Sequence, residues 1–222
     1  MREQPADIKS EIEKSNGRKI FIDFLRTQFD NTDELIEKFD KLTEMYFEVN
    51  SVINISALRT VDDVYIKHYL DSIYPHEYFS GCVCDVGCGG GFPTIPLAIA
   101  TNLPITGVDS VGKKLLLIKR CQSELQLKNL KSDYARSEEL TKLHREYDTV
   151  CARALADIDK AVTLCSPLAK KDGKIVLYRS QSDEPAKKST TEKHGVILSE
   201  GIDYFLPGTD IKRRIYIYRK RV

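Results

Sequence analysis

The chain has 222 residues, 41% of them hydrophobic, which is enough to bury a sizeable core in one domain with an appendage. Lys and Arg total 34 against 33 Asp and Glu, leaving a formal charge of +1, so the chain as a whole is neither basic nor acidic. No run of eighteen apolar residues occurs and the start, MREQPADIKS, is not an apolar leader, which argues against a spanning helix and makes a cytoplasmic location the expectation.

The charge is unevenly placed. Residues 1–50 carry eight basic and twelve acidic side chains, whereas residues 210–222 carry six basic side chains and one acid. That asymmetry permits an anionic partner near the C-terminus without demanding one. The six cysteines, at 82, 84, 88, 121, 151 and 165, lack paired CxxC spacing and read as buried thiols, with Cys82 and Cys84 on one strand face. No metal site is expected.

In chain order, Ile8–Phe29 and Asp33–Val49 have apolar residues at helical spacing. In the second, Leu35, Ile36, Phe39, Leu42, Met45 and Tyr46 form a packing stripe, and Thr32 and Asp33 offer N-cap oxygens. Val52–Leu58 is extended or a turn, with Asn54 inside it. Val61–Ile73 reads as a helix with His68 and Asp71 three residues apart, close enough to share a site. His68 serves equally well as a satisfied interface histidine.

Cys82–Val86 is a short apolar strand, followed by Gly87, Gly89, Gly90 and Gly91 and a helix over Thr94–Ala100. Ile105–Val108 is the next strand and ends at Asp109. A helix over Lys113–Leu127 and a short strand over Lys131–Asp133 follow. Ala135, Arg136 and Ser137 then open a local helix, where the backbone either flanks an adenine or merely caps. Tyr147–Cys151 is a strand with Arg153 just beyond it, and Asp157–Leu168 is a helix. Gly173 turns into the strand Ile175–Tyr178, with Arg179 next. Residues 180–195 are a frayed helix or a mobile insertion. Ile197–Leu206 is extended, Pro207-Gly208 interrupts, and Arg213–Arg219 alternates as a half-buried strand. There Ile215 and Ile217 face inward, while Arg214 and Tyr216 face the other way. The βα rhythm predicts an α/β fold: a mostly parallel sheet with helices on both sides and a C-terminal hairpin.

Strand, glycine turn and helix together make a nucleotide-type cofactor the working hypothesis. The spacing Gly87-x-Gly89-Gly90-Gly91 departs from the dinucleotide fingerprint, since position 92 is Phe92, and there is no GKS or GKT triplet of a P-loop. Asp109, twenty residues after Gly89, can accept from both ribose hydroxyls of a nucleoside. That suits NAD and S-adenosylmethionine equally well. The plainer reading makes Asp109 a helix cap.

An ordered set of segments carries a resemblance: INISALR at Ile53–Arg59, KHYLDS at Lys67–Ser72, DVGCGGGFPTIPLAI at Asp85–Ile99, VDSVGKK at Val108–Lys114 and ARALADI at Ala152–Ile158. Together they resemble the bacterial 16S rRNA 7-methylguanosine methyltransferases, the glucose-inhibited division protein B family, over nearly all of the chain after its first helices. The resemblance implies a class I Rossmann-like methyltransferase sheet with an N-terminal helical extension, divided as 1–60 and 61–222. It implies S-adenosyl-L-methionine as methyl donor and N7 of a guanine in the 530 loop of 16S rRNA as acceptor, as naked rRNA or in a 30S particle, with the enzyme a monomer that engages no membrane.

Carried over, Asp85, Gly87, Gly89, Gly91 and Phe92 fall on the donor loop, Asp109 on the ribose acid, and Ala135, Arg136 and Ser137 beside adenine. Arg153 lies between donor and guanine, and Asn54, His68, Asp71 and Ser72 border the guanine pocket. Where the family commonly has Lys-Gly after the strand IVLYRSQ, this chain has Arg179 and Ser180, keeping the positive charge but changing its reach and hydrogen-bond geometry. Asp71, Arg153 and Arg179 are the residues expected to act in transfer. Arg213, Arg214 and Arg219, with Lys220 and Arg221 and joined by Lys113 and Lys114, are expected on the RNA backbone, or form a solubilising face. Guanine N7 carries a lone pair and no proton, so transfer needs no general base. A small-molecule methyltransferase and a noncatalytic RNA-binding or ribosome-assembly protein are the alternatives, with an NAD oxidoreductase ranking below them.

Overall fold

The structure, a computed structural model, describes residues 8–142 and 146–221, so the first seven residues of the N-terminal stretch lie outside the described residues. Among these, seven strands form one sheet in the order β3-β2-β1-β4-β5-β7-β6. The strands are β1 (Val83–Val86), β2 (Ile105–Asp109), β3 (Leu130–Tyr134), β4 (Tyr147–Arg153), β5 (Ala169–Arg179), β6 (Val196–Phe205) and β7 (Lys212–Lys220). The first five run parallel; β7 lies antiparallel between β5 and β6. Strand order reverses between β1 and β4, which opens a crevice at the carboxyl edge where α/β sheets bind ligands.

Helices cover both faces. On one lie α1 (Ile8–Lys14), α2 (Asn16–Gln28) and α3 (Thr32–Ile53). They share a single apolar cluster with Val83, Ile105, Val176, Ile215 and Ile217 of the sheet. The segment read as one helix over Ile8–Phe29 breaks at Ser15. The Ser15 hydroxyl accepts from the Arg18 N–H at 3.0 Å and donates to Asp62 at 2.5 Å, starting a new helix against the Thr60–Asp62 turn. A Cβ at Gly17 would fall 2.6 Å from the Asp62 carbonyl oxygen, so glycine lets the two backbones touch. For α3 the cap position is Asn31, one residue before the expected pair; the Thr32 hydroxyl instead donates to the Phe29 carbonyl. The helix continues through Ile53 and stops at Asn54, whose left-handed φ of 50° ends it.

Between these helices and the sheet runs a continuous helical segment: α4 (Val61–Asp63), a π-helical stretch Val64–Leu70, and α5 (Asp71–Ile73). Tyr65 and Tyr69 of the π stretch pack on Phe21 and Phe39, with the Phe21 and Phe39 rings edge-on at 4.7 Å. The Asp40 carboxylate accepts from Arg18 at 2.7 and 2.8 Å and from the Tyr65 hydroxyl at 2.5 Å, tying α2, α3 and the π stretch together. Helix α6 (Thr94–Ala100) completes this face together with α7 (Leu116–Glu124), which a 3₁₀ turn over Gly112–Leu115 precedes; the expected helix over Lys113–Leu127 is thus shorter and starts tighter. The other face holds α8 (Ser137–Lys142), α9 (Ile158–Cys165), capped by Asp157 and extended by a 3₁₀ turn, and α10 (Lys188–Lys193), the helical part of 180–195.

Three further readings need correction. Gly173 does not turn the chain but sits inside the eleven-residue β5, where Asp172 at φ 63° and a register shift opposite Tyr147 and Thr149 absorb the irregularity. β7 is not half-buried: Ile215 and Ile217 face the N-terminal helices while Tyr216 and Tyr218 are buried against the α9 side, because an internal strand with helices on both faces has no wet side. Cys82 precedes β1 and is exposed, while the other five thiols are buried and free.

Candidate active site

Two cavities open side by side at the carboxyl edge. The first, about 480 Å³, is lined by Gly87 after β1, Asp109 to Val111 after β2, Ala135 to Ser137 after β3, and Ala154 and Leu155 after β4. The second, about 440 Å³, is lined by Ser56, Lys67, His68, Asp71, Arg153, Tyr178, Arg179, Asp183 and Arg213 among others. Ala154, at a left-handed φ of 52°, belongs to both. A molecule in the first cavity therefore meets one in the second where β4 ends.

The glycine turn is held by two acids. The Asp109 carboxylate accepts from the Gly89 N–H at 2.9 Å and the Val111 N–H at 2.8 Å, which fixes the loops after β1 and β2 to each other. The cap reading is thus part of its role, but its position on the cavity wall leaves it facing a ligand. Asp85 is 1% exposed; one oxygen accepts from the Thr94 hydroxyl at 2.5 Å and the other, Oδ1, has no hydrogen-bond partner. Burial pushes its carboxyl up to about 6. Gly87, at φ 70°, lies under the Leu155 side chain, whose Cδ1 would sit 2.2 Å from a Cβ there. At Gly89, by contrast, a Cβ would meet nothing within 4 Å, the open side of the loop. Asp85, Gly89, Gly91 and Phe92 line neither cavity: they shape the turn from behind.

The second cavity is built on Arg153, the last residue of β4. Its Nη1 donates to the Lys67 carbonyl at 3.2 Å, to Ser72 at 3.4 Å and to Asp71 Oδ2 at 3.5 Å. Asp71 Oδ1 accepts from Arg213 Nε at 3.0 Å. Both oxygens of this buried carboxylate are thus committed to guanidinium groups, from β4 and from β7. Arg153 Nη2 donates to His68 Nδ1 at 3.2 Å, so the proton of the neutral ring sits on Nε2 and is donated to Ser56 at 2.9 Å. His68 also stacks on Phe92 with centroids 4.0 Å apart. Burial, then the Arg153 charge, drives its pKa down to about 3. With both nitrogens engaged, His68 is a wall and an orienting group, not a base. Arg179 donates to the Ala156 carbonyl at 2.6 Å, and its Nε is buried without a partner.

His68 also sets a pH dependence. The folded ring stays neutral between pH 6.5 and about 3 while the unfolded ring takes a proton, so its contribution is present above 6.5 and is lost as pH falls towards 3. Asp85 has the opposite slope: its raised pKa favours the fold below the model-peptide value and that benefit is lost as pH rises through about 6. In chemical denaturation, His68→Gln is expected to lose roughly 3 kcal/mol less than the native chain between pH 6.5 and 4. Parallel profiles for the two proteins would show that His68 does not remain neutral in the fold.

Not every expected site residue gathers here. Asn54 is the end of α3, and its Oδ1 accepts from Arg59 at 2.5 Å. The terminal basic residues do not form one patch. Arg213 is in the site, but Arg214 is paired with Asp203 at 2.5 and 2.6 Å, and Arg219 is near the other end of β7, about 20 Å away at the strand rise. Conversely, Ser56, Lys67, Tyr178 and Asp183 line the second cavity although they were not singled out. Ser56 and Lys67 lie within INISALR and KHYLDS, where a closer reading would have found them; Asp183 reaches the site through a turn closing on Ser180, which no spacing announces.

The sheet order, the reversal between β1 and β4, the glycine turn and the acid ending β2 define a class I Rossmann-like methyltransferase fold. It is similar to magnesium protoporphyrin IX methyltransferase from Synechocystis, solved with bound SAH (18% identity, TM-score 0.52, covering 80% of this chain and 93% of that one). It is similar also to the YcgJ protein of Bacillus subtilis (13% identity, TM-score 0.52, covering 70% of this chain and all of that one). Within this class the chain belongs to the rRNA small subunit methyltransferase G family (GidB), whose profile matches residues 35–216. Ribosomal RNA small subunit methyltransferase G of Lysinibacillus sphaericus is 36% identical over 213 residues, 90% of this chain and 89% of the relative. That of Lactobacillus helveticus is 33% identical over 219 residues, 92% and 91% respectively. The family is the one the sequence segments resemble, and with it come the activity, methyl transfer, and the donor, S-adenosyl-L-methionine.

Proposed function

We propose that this protein transfers a methyl group to N7 of a guanine in the 530 loop of 16S rRNA, acting in the cytoplasm as a monomer on free rRNA or on a 30S particle. Among the described residues no helix is long and apolar enough to cross a membrane. The carrying observation is the pair of cavities joined at Ala154, with Arg153, Arg179, Arg213 and Lys67 around the second.

The first cavity fits the donor. Asp109 on its wall would accept from ribose hydroxyls, and Ala135, Arg136 and Ser137 would border the adenine, while the open side of Gly89 leaves room for backbone contact. S-adenosyl-L-methionine bound there supplies a methyl group on a positive sulfonium. In the second cavity Arg153 and Arg179 are placed to donate to guanine O6 or a phosphate, leaving N7 free for attack. No group has to remove a proton, which agrees with a His68 whose lone pair is already occupied. Asp71 acts as a positioning residue, because its charge is spent on holding Arg153 and Arg213.

Labelled methyl transfer to purified 16S rRNA and to 30S particles, followed by mapping of the modified atom, tests this reading. N7-methylguanine in the 530 loop is the expected product. A methyl group on another atom, or transfer to a metabolite and not to RNA, would overturn it.

A further inference from the structure

Among the described residues, the exposed aromatic side chains are Tyr134, 71% exposed, and Phe205, 54% exposed. Their positions are related. Tyr134 is the last residue of β3 and Phe205 the last of β6, and these are the two edge strands of the sheet. Because β6 is antiparallel to β7 and β7 to β5, β6 runs in the direction of β3. Both rings therefore stand on the carboxyl edge, at its two ends, with both cavities between them. Six strand spacings put them about 29 Å apart in a flat sheet.

Each ring stands beside cations. Lys212 Nζ lies 5.4 Å from the centre of the Phe205 ring, and Arg213, the next residue, lines the second cavity. Tyr134 rests on the Gly112 turn, where a Cβ would approach its Cδ2 to 3.3 Å, and that turn carries Lys113 and Lys114. Lys114 lines the first cavity. Phe205 is not part of a wide apolar patch: the exposed Ile197 and Leu198 are at the opposite end of β6, separated from it by Glu200, Gly201 and Asp203. A single ring with a cation suits a nucleobase and its phosphate better than it suits the packed centre of a protein interface.

We propose that the carboxyl edge is an RNA platform in which Tyr134 and Phe205 each stack a base of the strand flanking the target nucleotide, so that the RNA is held on both sides of the cavities. The proposal rests on the rRNA-methyltransferase reading. It adds a surface that the two cavities do not contain, and it moves the RNA contact from the distal end of β7 to its site end.

The test uses the full chain and a 16S rRNA transcript carrying the 530 loop, with RNA affinity, donor affinity and transfer kinetics measured on each variant. Tyr134→Leu and Phe205→Leu are each expected to weaken RNA binding about ten-fold, and the double variant more, because leucine replaces apolar bulk but offers no π-face. Tyr134→Phe and Phe205→Tyr should bind RNA as the native chain does. Donor affinity should hold in all, and KM for RNA should rise with little change in kcat. Native-like RNA affinity in both leucine variants would overturn the platform, and loss of donor affinity in Tyr134→Leu would assign that ring to the donor instead. A native chain that binds RNA through these rings yet methylates another atom would sink the reaction while keeping the platform; one that binds no RNA would sink both.

Discussion

Asp71→Asn is expected to reduce methyl transfer by at least about 100-fold while leaving donor affinity nearly unchanged. The carboxylate is 6% exposed and lies between two guanidinium groups, from Arg153 on β4 and Arg213 on β7. An amide of the same shape keeps at most one acceptor and no charge, so two cations are left facing each other beside the second cavity. Breaking a buried pair by removing one partner typically costs about 3–5 kcal/mol, and partial exposure of Arg213 places this case at the lower end. A fall in denaturation midpoint should therefore accompany the loss of transfer. Donor binding separates the two effects, since Asp71 does not line the first cavity. Single-turnover transfer at native rate in the folded variant would show that neither arginine needs Asp71 to be placed.

Asp109→Ala should act on the other cavity. The side chain ends β2, is 7% exposed and holds the Gly89 and Val111 amides as well as facing the donor space. Loss of a charged acceptor for ribose hydroxyls corresponds to about 1.5–3 kcal/mol, or roughly 10- to 150-fold in donor Kd. RNA affinity should hold, because the variant leaves the second cavity intact. Titration calorimetry with S-adenosylmethionine decides it, and a donor Kd within two-fold of native would reduce Asp109 to its role of tying two loops together.

The parts of this molecule that were legible in the sequence are those set by local chemistry. The turn after β1 needs left-handed φ at Gly87, Gly89 and Gly91, and the glycines announce it. The acid at Asp109 and the basic residue at Arg153 fall at strand ends, where an α/β sheet places ligand contacts. What the pattern could not carry was long-range pairing. Asp71 and Arg213 are 142 positions apart, and only the antiparallel return of β7 brings them to 3.0 Å. For the same reason RRIYIYR alternates in sequence yet is buried on both faces: the alternation says which residues share a face, not whether a face is covered. The break at Ser15 had a local cap signal, Ser-Asn-Gly, overridden in the reading by an apolar periodicity that runs through it.

The π-helical stretch Val64–Leu70 has a consequence for how this site tolerates change in length. A π turn accommodates an additional residue within an otherwise α-helical path. Removing one residue from Val64–Ile66 would let the stretch relax to α geometry and swing whatever follows by about 100° around the axis. His68, Asp71 and Ser72 would leave Arg153 together, while Tyr65 and Tyr69 would no longer share a side against Phe21 and Phe39. The spacing of this helix is a phase setting between the aromatic core and the cavity, so a single-codon deletion here would be harsher than most substitutions within it.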